Sequence, residues 1–200
     1  MLIKQNGHLI LASSSKVRKK ILEEVGLDFE VKSPTFDEEK AKKTLDLAPK
    51  NLALFLAKQK ALSISKKFQN SYVIGSDQVC EFENKDISKS NNASQAIKQL
   101  RQFNGKIHYQ NNAVVIAFNG KIIFQNFSRV KLQMRKMSNQ EIDSYVKSDQ
   151  PWGCAGSYKY ESLGKHLFEK ISGDYYSVLG LAIQPVLFFL HQKKLISIKF

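Results

Sequence analysis

The chain mixes short apolar runs with longer stretches in which apolar residues recur every three or four positions, and these two periods mark strands and helices. His8–Ser13, with the apolar run Leu9–Ala12 at its centre, predicts a short buried strand. Ser13–Ser15 offer cap hydroxyls for a helix through about Val25, where Gly26 stops it. Phe29–Ser33 predicts a second strand ended by Pro34. Pro49 suits a first helical turn and opens a long helix to about Gln69. Tyr72–Gly75 is β-prone and puts Asp77 at a strand end, with Val79–Glu83 continuing beyond it. Asn92–Gln102 predicts a modest helix. Ile107–Phe118 and Lys121–Met134 are β-rich and joined by Asn119-Gly120, a strong hairpin signal. Ser138–Lys147 predicts a helix that starts with a capping box, Ser138 and Glu141. His166–Ile171 predicts a strand, Gly173-Asp174 a turn into a terminal helix near Tyr175–His191, and Leu195–Ile198 a last strand. Early alternation of strands and helices around a central hairpin predicts an α/β fold with a mixed sheet.

Two cations fall on faces that should be apolar. On the first helix Val17, Ile21, Leu22 and Val25 form one stripe, and Arg18 lies inside it. On the long helix Leu52, Ala53, Leu56, Ala57 and Ile64 share a face, and Lys60 lies among them. An inward cation must snorkel, pair or meet an anion. Arg18 sits one turn from a serine-rich helix start, where free N–H groups favour anions and Ser13 and Ser15 add hydroxyls. Two such cations favour a phosphate-lined cleft. Carboxylates complete the pattern. Asp77 follows a strand, the usual place for a reactive group in α/β folds, and Asp37-Glu38 fall in an acidic loop within Phe36–Lys40. Magnesium takes such oxygen ligands together with substrate phosphates. Taken alone, Asp77 also suits a turn and Asp37-Glu38 a solvated loop.

Composition narrows the class. The chain has 200 residues, 42% hydrophobic and 24% charged, which excludes a disordered chain and fits one domain over 1–200 or a pair of closely joined lobes. Val178–Leu190 is interrupted by Gly180, Gln184 and Pro185 and is too short for a bilayer. Leu9–Ala12 is too short for a signal-peptide core. Cys80 and Cys154 make neither a disulfide scaffold nor a metal motif. The expectation is a soluble, cytoplasmic protein. Lys and Arg number 31 against 18 Asp and Glu, a net charge of +13, which serves solubility or attracts a polyanion.

In order along the chain, these motifs resemble a known family. Leu9-Ile10-Leu11-Ala12-Ser13-Ser14-Ser15-Lys16-Val17-Arg18 resembles the LILAS-x-S-P-x-R opening of the Maf nucleoside triphosphate pyrophosphatases. Phe36-Asp37-Glu38 resembles their V-D-E, Leu56-Ala57-Lys58-Gln59-Lys60-Ala61 their L-A-x-x-K-A, and Val73–Cys80 their strand-end acid motif. Pro151–Lys159, Ile171–Asp174 and Gly180-Leu181 resemble the C-terminal blocks. Gln78-Val79-Cys80 and Cys154-Ala155-Gly156-Ser157 with Lys159 and Glu161 are similar to the 7-methyl-GTP (YceF-type) branch rather than the dTTP/UTP branch. Lys16 stands at the family's proline, Val17 where that branch has Trp, and Ser88-Lys89-Ser90 for G-K-P.

The resemblance implies a mixed, elongated, twisted sheet flanked by helices, with two lobes around a cleft, as in Maf and ITPase-like proteins. It implies hydrolysis of a nucleoside triphosphate, 7-methyl-GTP before dTTP or UTP, to the monophosphate and pyrophosphate. Asp77 would accept the proton from water. Ser13, Arg18, Lys60 and Lys89 would bind phosphates. Glu38 and Asp77 would hold a divalent cation, magnesium or manganese. Val17, Gln78 and Glu161 occupy positions tied to base choice, and a homodimer is possible. The rival reading is a basic nucleic-acid-binding protein that stacks bases on Phe103, Tyr109, Phe124 and Phe127. That reading makes nucleic acid the partner, which the alternating β-rich run disfavours, because it assigns these rings to core packing.

Overall fold

The computed structural model describes residues 3–198, except the side chains of Glu39 and Lys43. Met1, Leu2, Lys199 and Phe200, the ends of the expected 1–200 domain, lie outside the described residues. In chain order the elements are β1 (Ile3–Gln5), β2 (His8–Ala12), α1 (Lys16–Glu24), β3 (Glu30–Lys32), α2 (Glu38–Thr44), α3 (Pro49–Ser65), β4 (Ser71–Phe82), β5 (Lys85–Ile87), α4 (Ala93–Phe103), β6 (Ile107–Phe118), β7 (Lys121–Met134), α5 (Asn139–Asp149), β8 (Phe168–Ser172), α6 (Tyr175–Leu179), α7 (Ile183–Gln192) and β9 (Ile196–Ile198).

Six strands run in the order β3-β2-β4-β6-β7-β8, and β5 adds to β4. β2 is parallel to both β3 and β4, whereas β4, β6, β7 and β8 pair antiparallel, so the sheet is mixed. Asn119 (φ 48°) and Gly120 (φ 74°) make the hairpin turn between β6 and β7, and both take the left-handed backbone that such a turn demands. Helices cover both faces. α3 buries Leu56, Ala57 and Ala61 against Val115. On the opposite face Leu22 of α1 and Ile183 and Leu190 of α7 meet Ile74 and Ile116. Leu100 and Phe103 of α4 and Ile142 of α5 join Cys80, Phe82 and Leu132 in a separate cluster. The two ends of β4 therefore belong to different hydrophobic clusters.

The stretch between those clusters positions the site. β2 pairs with β4 only as far as Ala12 opposite Gly75, and β5 joins the same edge at Cys80. β6 covers the other edge from Tyr72 to Glu81. Ser76–Val79 thus have an open edge, and side chains from either face of the strand reach it.

Several expectations change. Asp77 is not at a strand end: β4 runs unbroken through it, because β6 pairs with it throughout, and what ends near Asp77 is the parallel partner. The acidic loop is the start of α2, capped by Asp37 Oδ1 accepting from the Lys40 N–H at 2.9 Å. The terminal helix is two helices, α6 and α7, because Gly180 at φ 107° ends α6 in the left-handed region open to glycine. The long helix stops at Ser65, four residues early, and His166 lies in a 3-10 turn before β8. The four aromatic rings of the rival reading contact the protein's own side chains. Phe103 is fully buried, Phe124 packs on Phe189, Lys50 covers Phe127, and the Arg129 guanidinium lies 3.7 Å over Tyr109. Among the described residues no helix is long and apolar enough to cross a membrane.

Candidate active site

At the open edge of β4 a cleft gathers every residue expected from the sequence. Its two parts share Ser15, Arg18, Lys60 and Lys89. One part adds Asp77 with Val17, Gln78 and Glu161, and the other adds Ser13 and Glu38.

α1 delivers the first cation. Ser15 caps it, its Oγ accepting the Arg18 N–H at 3.4 Å, so Lys16 in the first helical position leaves the cap intact. The Arg18 Nε–H donates to Gly180 O at 2.8 Å, and Nη1 reaches Ser13 Oγ at 3.4 Å. Anchoring through Nε fixes the plane of the guanidinium. Burial lowers the Arg18 pKa, and the facing carboxylates Asp77 and Glu38 offset part of that shift. Gly180 O also accepts from Ser76 Oγ at 2.9 Å, which ties the α6–α7 break to β4.

α3 delivers the second cation. A Cβ on Gly75 would lie 2.5 Å from Ala57 O and 2.6 Å from Ala61 N, so only glycine lets the helix rest this close to the strand. That contact carries Lys60 to Asp77 Oδ1, while the same ammonium binds Glu38 Oε2 at 2.7 Å. Glu38 Oε1 binds Lys42 at 2.6 Å, one turn further along α2. Burial alone would raise the Glu38 pKa, but Lys60 and Lys42 pull it down to about 2, so the carboxylate stays charged.

Asp77 is only 3% exposed, and its second oxygen, Oδ2, is buried with no hydrogen-bond partner among the described residues. A buried carboxylate oxygen without a donor is costly unless something else meets it. Glu38 and Asp77 already hold one cation, the Lys60 ammonium, between them. They are hard oxygen donors and fit magnesium or manganese. Among the described residues there is no cluster of three metal-binding side chains, so phosphate and water oxygens would complete the shell.

The third cation, Lys89, is exposed on the loop before α4. Ser90, in place of the family's proline, fixes that loop. It is fully buried, its carbonyl accepts the Gly153 N–H at 2.8 Å, and its Oγ lies 2.8 Å from Ser157 Oγ. Gln78 donates both amide hydrogens to the carbonyls of Ser177 and Val178, at 3.0 and 2.9 Å, leaving its side-chain oxygen as its acceptor. Glu161 is exposed at the rim. Burial, then Glu161, raises the Cys154 pKa and keeps it a protonated thiol, which disfavours a thiol nucleophile. Lys42 and Tyr160 escaped the sequence reading. The spacing of Lys42 four residues after Glu38 was the signal for the first; no pattern marked the second.

The sequence has known relatives. A nucleoside triphosphate pyrophosphatase of Bradyrhizobium diazoefficiens is 38% identical over 193 residues, covering 95% of this chain and 96% of that protein. One of the same name from Ruegeria sp. (strain TM1040) is 36% identical over 190 residues, covering 92% and 94%. A third, from Legionella pneumophila, is 34% identical over 197 residues, covering 97% and 98%. The model of the Maf-like protein family matches residues 8–193, from the first residue of β2 to just past α7, and the chain belongs to that family.

Proposed function

We propose that this protein hydrolyses a nucleoside triphosphate at the α-phosphorus, releasing the monophosphate and pyrophosphate. The observation that carries the reading is a buried carboxylate, Asp77, with one oxygen unpartnered among the described residues, in one cleft with Arg18, Lys60 and Lys89. The shared name of the relatives supports it.

Arg18, Lys60, Lys89 and Ser13 bind the phosphates, and Ser15 presents the helix start to them. Asp77 orients water and takes its proton. The water oxygen bonds to the α-phosphorus while the bond from that phosphorus to its bridging oxygen breaks. The bridging oxygen leaves on pyrophosphate, and the proton passes from Asp77 to solvent. Arg18 and Lys60 stabilise the charge that builds on the leaving group. A divalent cation, magnesium or manganese, held by Glu38 and Asp77 would supply further charge neutralisation at the phosphate oxygens.

The preferred substrate in this reading is 7-methyl-GTP. Its base carries a positive charge, and Glu161 at the rim is a carboxylate able to complement it. Val17 and Gln78 line the same part of the cleft.

The test is a panel of 7-methyl-GTP, GTP, dTTP, UTP and CTP with magnesium or manganese, products read by mass spectrometry. Monophosphate and pyrophosphate from 7-methyl-GTP, abolished by EDTA, is the expected result. Turnover of dTTP or UTP instead keeps the chemistry and moves the base preference. No turnover with either metal sinks the reading.

A further inference from the structure

We infer that Tyr160 is the aromatic wall on which the nucleobase stacks, a binding role that rests on the pyrophosphatase reading above. Besides its charged groups, the part of the cleft that contains Asp77 is lined by the apolar side chains of Val17, Ala155, Val178 and Leu179. Such apolar groups suit the flat face of a base, and the charged groups suit the triphosphate. Two aromatic rings line the same part of the cleft, Tyr158 and Tyr160. Tyr158 is committed elsewhere. It is 4% exposed, and its hydroxyl lies 2.7 Å from Gln110 Nε2 and 3.0 Å from His108 Nε2 inside the core.

Tyr160 is only partly buried and is held in place by other rings. Phe168 meets it at 6.0 Å between centroids with planes 60° apart, and Tyr175 at 5.8 Å with planes 62° apart. Those edge contacts fix the ring before any ligand arrives, so little side-chain entropy is lost on binding. Stacking on an aromatic face tolerates every base, because every base has a π-face. Tyr160 therefore supplies affinity, while polar groups that line the same part of the cleft, Gln78 and the next residue in the chain, Glu161, discriminate between bases. A cationic base gains further from the ring's negative face.

The experiment compares Tyr160→Ala and Tyr160→Phe with the wild type on whichever panel nucleotide the wild type turns over. Inhibition by inorganic tripolyphosphate, which has no base, is measured alongside. Tyr160→Ala should raise KM about tenfold or more with kcat within about threefold, and Tyr160→Phe should restore KM to within about twofold. Tripolyphosphate should inhibit all three equally. An unchanged KM in Tyr160→Ala overturns the assignment and leaves the pyrophosphatase reading standing. So does equal weakening of nucleotide and tripolyphosphate, which would make Tyr160 a prop for the whole cleft. A wild type that turns over no nucleotide overturns both.

Discussion

Lys60 and Asp77 meet because the helix that carries one rests on the strand that carries the other at a glycine, Gly75. The pairing is thus a consequence of backbone approach, and it is tested at Gly75 rather than at either charge. Gly75→Ala places a Cβ 2.5 Å from Ala57 O, so α3 must move off β4. We expect a loss of at least about 1–3 kcal/mol, read as a fall in Tm of roughly 3–10 °C, together with reduced turnover as Lys60 is displaced. A stable Gly75→Ala variant with full activity would show that this close contact does not set the site.

Asp77 and Glu38 are separable by kinetics. Asp77→Asn preserves shape but removes the proton acceptor, so kcat should fall about 10²- to 10⁴-fold, with the far-ultraviolet circular dichroism unchanged. Glu38→Gln leaves the acceptor in place and weakens one oxygen ligand. It should raise the magnesium concentration for half-maximal rate about tenfold or more while sparing much of kcat at saturating metal. Equal losses in both variants, insensitive to metal, would argue against the division of roles.

Much of this was legible from the chain. Arg18 and Lys60 declared themselves because charge on an apolar helical face is an anomaly that the fold must resolve, and it resolves at facing carboxylates. The position of Asp77 was recognised by the wrong signal. Its side chain is free to work because β2 ends two residues earlier, which no local pattern around Asp77 records. α2 was invisible since its sequence, EEKAKKT, has no apolar period, and its position depends on the Glu38–Lys60 ion pair to α3 and on the buried Ala41. Lys89 and Glu161 came only through family resemblance, because a loop lysine and a rim glutamate have no periodicity to violate. Tyr160 depends on three rings brought together from separate segments, a purely tertiary fact.

Arg18 is held by its Nε, a donor that lysine does not possess in that place. Arg18→Lys keeps the charge and loses the anchor to Gly180 O. We expect kcat/KM for the nucleotide to fall by about 10²-fold and tripolyphosphate inhibition to weaken with it, in contrast to Tyr160→Ala. If lysine proves equivalent, the site needs charge alone and the bond to Gly180 is incidental.

His108 makes stability depend on pH far from the cleft. The ring is fully buried, stacks on Phe103 with centroids 4.6 Å apart, and faces Tyr158 and Phe168. Burial lowers its pKa from 6.5 to about 3. Between those two values the unfolded chain binds a proton that the native state refuses. Stability is therefore complete above about pH 6.5 and declines as the pH falls towards 3, by at most about 1.4 kcal/mol per pH unit from this residue. His108→Phe keeps an aromatic ring against Phe103, and Gln110 still holds the Tyr158 hydroxyl. Urea unfolding of the two proteins at pH 7 and pH 4.5 should show the wild type losing more of its stability on acidification than the variant. Parallel losses would mean that the acid sensitivity lies in other groups, and that His108 is not kept neutral by its burial.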